Sequence, residues 1–219
     1  MRRALAVAAG LLLVAAYPAA ASAATVGHWA LDETSGNAVV DSSGFDNDGT
    51  SQNMTLDQDG VTGDPGDRAY LYNGTSSRIT VPASNSLIPG TKDVTISFWF
   101  KSSFHAGSGD FDWDMVKKGG YKVEIYLQKK KEQARCVFTG SAGKIAFQDG
   151  PTVTDGGWHH IVCAKTSTGV TLTVDDVSFP TRTGNLGTVK KGKELTIGWG
   201  SDGTDFFHGT LDDVEIDIG

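Results

Sequence analysis

The sequence predicts an all-β protein, a sandwich, barrel or jelly roll, on three observations. Apolar and polar residues alternate with a period of two through long stretches, the signature of half-buried strands. Turn-forming pairs such as Asn73-Gly74, Pro89-Gly90, Gly119-Gly120, Gly156-Gly157 and Gly184-Asn185 separate the alternating runs. After residue 23 no useful length of chain carries the 3.6-residue period of an amphipathic helix. The 28 glycines suit a fold of many tight turns.

Taken in order, the chain opens on Arg2 and Arg3, an apolar run from Ala4 to Ala16, and small residues ending in Ala21-Ser22-Ala23. A charged start, a short apolar core and an A-x-A-like end predict a secretory signal peptide over residues 1–23, with residues 24–219 as one secreted, extracellular domain. The apolar run is shorter than the roughly 20 residues that span a bilayer, so no membrane span is expected. Cleavage removes Arg2 and Arg3 and moves the formal charge from −7 to −9. With that balance, and no basic patch interleaved with aromatics, a nucleic-acid partner is not expected. Lys129-Lys130-Lys131 reads as a solvated turn, and the domain is expected to be a monomer.

Residues 32–67 are rich in Asp, Asn, Gly and Ser and read as long loops around one or two short strands. Beyond them, Val94, Ile96, Phe98 and Phe100 alternate with Thr95, Ser97, Trp99 and Lys101. Tyr121, Val123, Ile125 and Leu127 alternate with Lys122, Glu124, Tyr126 and Gln128, and Val170, Leu172 and Val174 with Thr171 and Thr173. The last run alternates Val214, Ile216 and Ile218 with Asp213, Glu215 and Asp217. Cys136 and Cys163, the only cysteines, lie in short β-patterned runs, and an oxidising compartment favours their disulfide over a catalytic Cys beside His159 or His160.

Four ordered blocks carry a family resemblance: Gly27–Glu33 running into Asp41–Gly44, Val94–Lys101, Gly157–Val162 leading to Leu172–Asp175, and Phe207–Val214. In this order they resemble the laminin G-like domains of the concanavalin A-like lectin/glucanase superfamily, and Asp110–Gly119 resembles a subgroup of secreted actinobacterial proteins. The resemblance implies a jelly-roll sandwich of two curved antiparallel sheets with the first and last strands adjacent. It implies sugar-binding and adhesion modules and, in related branches, glycoside hydrolases and polysaccharide lyases. In the resembled family the Trp-His block is structural, so Trp158 is placed in the core beside Trp29, with Trp199 at a rim.

The expected function is a non-catalytic module that binds a polysaccharide or cell-surface glycan. An aromatic platform with flanking polar groups would serve it, and Trp99, Glu124, Tyr126 and Gln128 are the candidates if their strands share a sheet. The alternative is a glycan-cleaving enzyme. Its best acids are Asp110, Asp112 and Asp114, which share one face of a strand at spacings that glycoside hydrolysis tolerates, with Lys117 and Lys118 near enough in sequence to neutralise them. Glu215-Ile216-Asp217 lacks the second glutamate of a laminarinase-type strand. For calcium, an oxygen-seeking cation, the Asp41–Gly49 loop offers carboxylates and amides. Relatives that bind calcium, and a last strand lying beside the first, point to Asp41, Asn47 and Asp212. The competing arrangement is a network of Asx turns without metal.

Overall fold

The computed structural model describes residues 23–107, 112–190 and 192–219. The expected signal peptide, apart from Ala23, and Asp110 lie outside these residues. In chain order the strands are β1 (Ala24–Trp29), β2 (Ala38–Val39), β3 (Gly49–Gln52), β4 (Thr55–Asp59), β5 (Arg68–Asn73) and β6 (Arg78–Val81). Then come β7 (Val94–Lys101), β8 (Trp113–Lys118), β9 (Tyr121–Gln128), β10 (Lys131–Gly140), β11 (Gly143–Gln148) and β12 (Trp158–Lys165). The last are β13 (Gly169–Val174), β14 (Val177–Ser178), β15 (Arg182–Thr183), β16 (Leu195–Ile197) and β17 (His208–Ile218).

These strands form two antiparallel sheets, as the alternation and the resemblance lead one to expect. The nine-stranded sheet runs β14-β13-β12-β7-β17-β5-β4, with β1 on β17 and β15 on β13. The eight-stranded sheet runs β11-β10-β9-β8-β16-β6-β3-β2. First and last strands pair, Trp29 opposite Val214 and His28 opposite Glu215. Among the described residues no helix is long and apolar enough to cross a membrane.

Period two decides which residues meet between the sheets. On β7, Val94, Ile96, Phe98 and Phe100 are buried while Trp99 and Lys101 stay half-exposed on the outside. On β9, Tyr121, Val123 and Ile125 point inward. Cys136 of β10 and Cys163 of β12 face each other across this core and form the expected disulfide, Cα to Cα 5.7 Å, which joins one sheet to the other. The β9–β10 hairpin turns on Lys129 and Lys130, both with positive φ (51° and 67°), a two-residue turn usually given to Asn-Gly. Both lysines are exposed there, as a solvated turn requires.

Trp29 is fully buried, and its indole N–H donates to the Asn47 carbonyl at 2.9 Å. Trp158 departs from its expected core position. It opposes Lys101 on the outer face of the nine-stranded sheet, with the Lys101 ammonium 4.6 Å from its ring centre. It opens β12, and the inward set of that strand is His159, Ile161, Cys163 and Lys165.

Candidate binding site

A connected row of charged groups lies on the outer face of the eight-stranded sheet. There Asp114 stands opposite Glu124, Lys117 opposite Lys122, Lys122 opposite Val137, and Glu124 opposite Arg135. A bulge between Asp114 and Val116 keeps both Asp114 and Lys117 outward while Met115 enters the core. Lys122 Nζ lies 2.9 Å from Asp114 Oδ1, 3.4 Å from Asp112 Oδ2, and in contact with Glu124 Oε2. Lys117 Nζ meets Asp114 Oδ2 at 2.6 Å. Arg135 Nε meets Glu124 Oε1 at 3.1 Å, and its guanidinium lies 4.4 Å from the Tyr126 ring centre.

These are outer-face residues, yet Asp112 and Glu124 are 2% exposed and Asp114 is 0% exposed. Desolvating such charges costs several kcal/mol apiece unless they are paired. Burial opposes the charge of Lys122, but Asp114 and Glu124 outweigh it and hold the ammonium protonated beyond its ordinary range. Asp112 goes the other way. Burial first, then the neighbouring Glu124, push its carboxyl up to about 6. Asp205, on the turn before β17, reaches about 7 through burial and the charges of Asp112 and Asp114.

Beside the charged row runs a groove of about 380 Å³, floored by Val137 and Thr139 and walled by Lys117, Lys122, Lys193 and Ser201. Its size falls in the range of small-ligand sites. Lys118 also lines it, but its ammonium is buried, depressed by that burial, and donates to the Lys193 carbonyl. Of the two lysines expected to neutralise the acids, Lys117 does so and Lys118 does not.

Of the residues singled out from the sequence, Glu124 and Tyr126 lie in this row, while Gln128 is exposed at the hairpin end of β9. Trp99 does not join them. It stands on β7 of the other sheet, stacked on His160 at 4.5 Å with planes 10° apart. Outer faces of a sandwich point away from each other, so Trp99 and Tyr126 form no common platform. Asp112 and Asp114 share a face, as their spacing predicts, but they are sealed and ion-paired instead of open to a glycan chain.

The expected calcium ligands do not fit together either. Asp41 Oδ1 accepts from the His28 and Ser43 backbone N–H groups, and Oδ2 from that of Asn47. This is the Asx-turn arrangement. The Asn47 amide donates to the Val26 carbonyl and Ser86 Oγ. Asp212 lies on β17 instead, where its Oδ2 accepts from Val61 N–H at 2.8 Å with Asp67, Asp213 and Asp32 around it. Among the described residues the acids that come together are instead Asp112, Asp114 and Glu124, each offering an oxygen within 4.8 Å of the others, and the Lys122 ammonium lies against all three. Sequence reasoning did not single out Lys122, Arg135 or Asp205 for this site. Arg135 carries a signal, since it opposes the outward Glu124 once the hairpin register is drawn, and Lys122 stands two residues before Glu124 on the same face, whereas Asp205 comes from a turn 83 residues downstream of Lys122 and 91 residues downstream of Asp114 and has none.

Three comparisons bear on these features. No curated protein matches the chain. Among solved structures it is similar to the binding domain of Paraclostridial Mosquitocidal Protein 1 (TM-score 0.67, 15% identity), covering 88% of this chain and 48% of that one, so the chain spans about half that domain's length. It is similar to domain 4 of AbnA, a GH43 extracellular arabinanase from Geobacillus stearothermophilus, in complex with arabinotriose (TM-score 0.62, 17% identity, 90% and 93% of the two chains). It is also similar to the Trypanosoma rangeli sialidase in complex with the inhibitor DANA (TM-score 0.57, 15% identity, 88% and 30%). At these identities the likeness is one of fold. The model of the Laminin_G_3 family matches residues 73–217, about two thirds of the sequence, and the chain therefore belongs to the concanavalin A-like lectin/glucanases superfamily.

Proposed function

We propose that this chain is a secreted, non-catalytic carbohydrate-binding module whose ligand lies in the groove on the outer face of the eight-stranded sheet. The observation that carries the reading is the sealed charged row beside that groove. Desolvated ion pairs add little net stability, so we read these charges as groups that position a ligand. Lys117 and Lys122 are fixed by their carboxylates, which spares a ligand the cost of ordering them. Thr139, Ser201, Lys193 and Glu194 line the groove with donors and acceptors suited to sugar hydroxyls. The arabinotriose complex of the arabinanase domain supports a saccharide as the ligand class for this fold.

A hydrolytic role is disfavoured by the same geometry. A general acid must reach the glycosidic oxygen, and Asp112, Asp114 and Glu124 are covered and shared with Lys122. A panel of polysaccharides, read both for retention and for release of reducing ends, tests the reading. Binding without products is expected. Chain cleavage that disappears on Asp112→Asn or Asp114→Asn, with the fold intact, would establish a hydrolase instead.

A further inference from the structure

The charged row is one positive charge short. Asp112, Asp114 and Glu124 on the sheet and Asp205 on the turn are four carboxylates, and Lys117, Lys122 and Arg135 are the three cations that answer them. The Lys122 ammonium fills the space between Asp112, Asp114 and Glu124, while Lys117 takes the second Asp114 oxygen and Arg135 the second Glu124 oxygen. Asp202, on the same turn as Asp205, is exposed and faces Lys117. Among the described residues no cation is left for Asp205, which faces Asp112, Asp114 and Thr204. Two oxygens carry the deficit. Asp112 Oδ1 and Asp205 Oδ1 are both buried, and neither has a hydrogen-bond partner. The two carboxyls lie within hydrogen-bonding reach of each other. Buried acids in that position do not both ionise, and one proton between them neutralises the row and gives one oxygen a donor.

We propose that Asp112 and Asp205 share one proton, and that this proton latches the 200–206 turn onto β8 and makes the wall of the groove sensitive to pH. The backbone joins the two elements at the same point, where Asp114 N–H donates to the Asp205 carbonyl at 3.1 Å. Bonds inside the turn, Gly200 N–H to the Thr204 carbonyl at 2.9 Å and Thr204 Oγ1 to Asp202 Oδ1 at 2.8 Å, fix its shape and not its position. With the proton in place the two carboxyls attract. Without it they repel across a buried contact, against that one backbone bond. Burial first and neighbouring acids second push Asp112 up to about 6 and Asp205 up to about 7. A hydrated carboxyl on an undocked turn releases its proton near the ordinary 3.8, so the latch contributes fully below that pH and is lost as the pH rises through 6 to 7. Ser201 of the turn walls the groove, so control of the ligand rests on the glycan reading of that groove, whereas the latch itself stands without it.

Hydrogen–deuterium exchange of the 200–206 amides, corrected for the intrinsic pH dependence of exchange, reads the latch with no ligand present. Between about pH 5 and about pH 8.5 their protection falls at least about tenfold. Asp205→Asn, at a half-exposed turn position, leaves three carboxylates for three cations and keeps the low-pH protection throughout. Asp112→Asn does the same. Asp212→Asn removes another carboxyl pushed up to about 7 and leaves the pH response of the turn in place. Affinity for the best-retained glycan falls over the same range in the parent and holds in Asp205→Asn. Protection that stays constant with pH overturns the latch, as does a pH response that survives both Asp205→Asn and Asp112→Asn. A loosened turn with unchanged glycan affinity overturns its control of the groove. Loss of protection in a protein that retains no glycan at any pH supports the latch and overturns the glycan reading instead.

Discussion

One ammonium group, Lys122 Nζ, touches three carboxylates, and its burial favours the neutral amine that those carboxylates forbid. Buried charge of the opposite kind, with no cation to answer it among the described residues, sits at Asp212. That side chain is 1% exposed, and burial, helped by Asp67, Asp213 and Asp32 and only partly offset by the Val61 N–H, pushes its carboxyl from the ordinary 3.8 up to about 7. The folded state therefore holds its proton more tightly than the unfolded chain does. Stability from this group is present below about pH 4 and is lost as the pH rises towards 7. Asparagine is neutral throughout and keeps an acceptor for Val61. In metal-free buffer the melting temperature of Asp212→Asn should match the parent near pH 4 and exceed it increasingly up to pH 8. A variant less stable than the parent at pH 8 would mean that a cation answers the carboxylate. Single residues were the least legible part of the sequence. The acids Asp112, Asp114 and Glu124 stood out because short-range spacing puts two of them on one face, while Asp205 reaches them only through the tertiary path of a distant turn.

Strands were legible because each buries one face, and alternation records that directly. The runs at 94–101, 121–128 and 170–174 became β7, β9 and β13, and Gly119-Gly120 became the turn between β8 and β9, whereas Gly90 bridges to Val189 and Gly184-Asn185 forms no turn. What alternation does not record is which sheet a strand joins. β7 and β9 have the same pattern yet belong to opposite sheets, which is why Trp99 and Tyr126 could be read as neighbours. The disulfide spans that divide, from β10 to β12, and closes a separation of 27 residues. In the chain-entropy model such a closure contributes about 3.5 kcal/mol. Urea unfolding with and without reductant should show a loss of that order with the native sheet signal retained in water. Titration of two free thiols in unreduced, denatured protein would contradict the bond itself.

At the scale of the whole molecule the sandwich presents two outer faces of different chemistry. The eight-stranded face carries fixed charges and a groove. The nine-stranded face carries rings, Trp99 on His160 and Trp158 under Lys101. The resemblance read from four blocks of sequence reached the fold and the superfamily, because those blocks encode core and turn positions. It did not reach the proposed binding face, because outer-face residues are not fixed by the packing of the core. The proposed ligand lies in the groove, and each face can be altered without disturbing the core. Thr139 is exposed on the groove floor, so Thr139→Trp fills the groove with a residue that strands accept. Trp99→Ala removes the opposite ring and leaves the groove untouched. The most direct measurement is the affinity of these two variants for the best-retained glycan by calorimetry. Loss of at least about tenfold in Thr139→Trp, or about 1.4 kcal/mol, with Trp99→Ala unchanged, is the predicted result; the reverse pattern, in folded variants, would contradict it and move the binding face to the nine-stranded sheet.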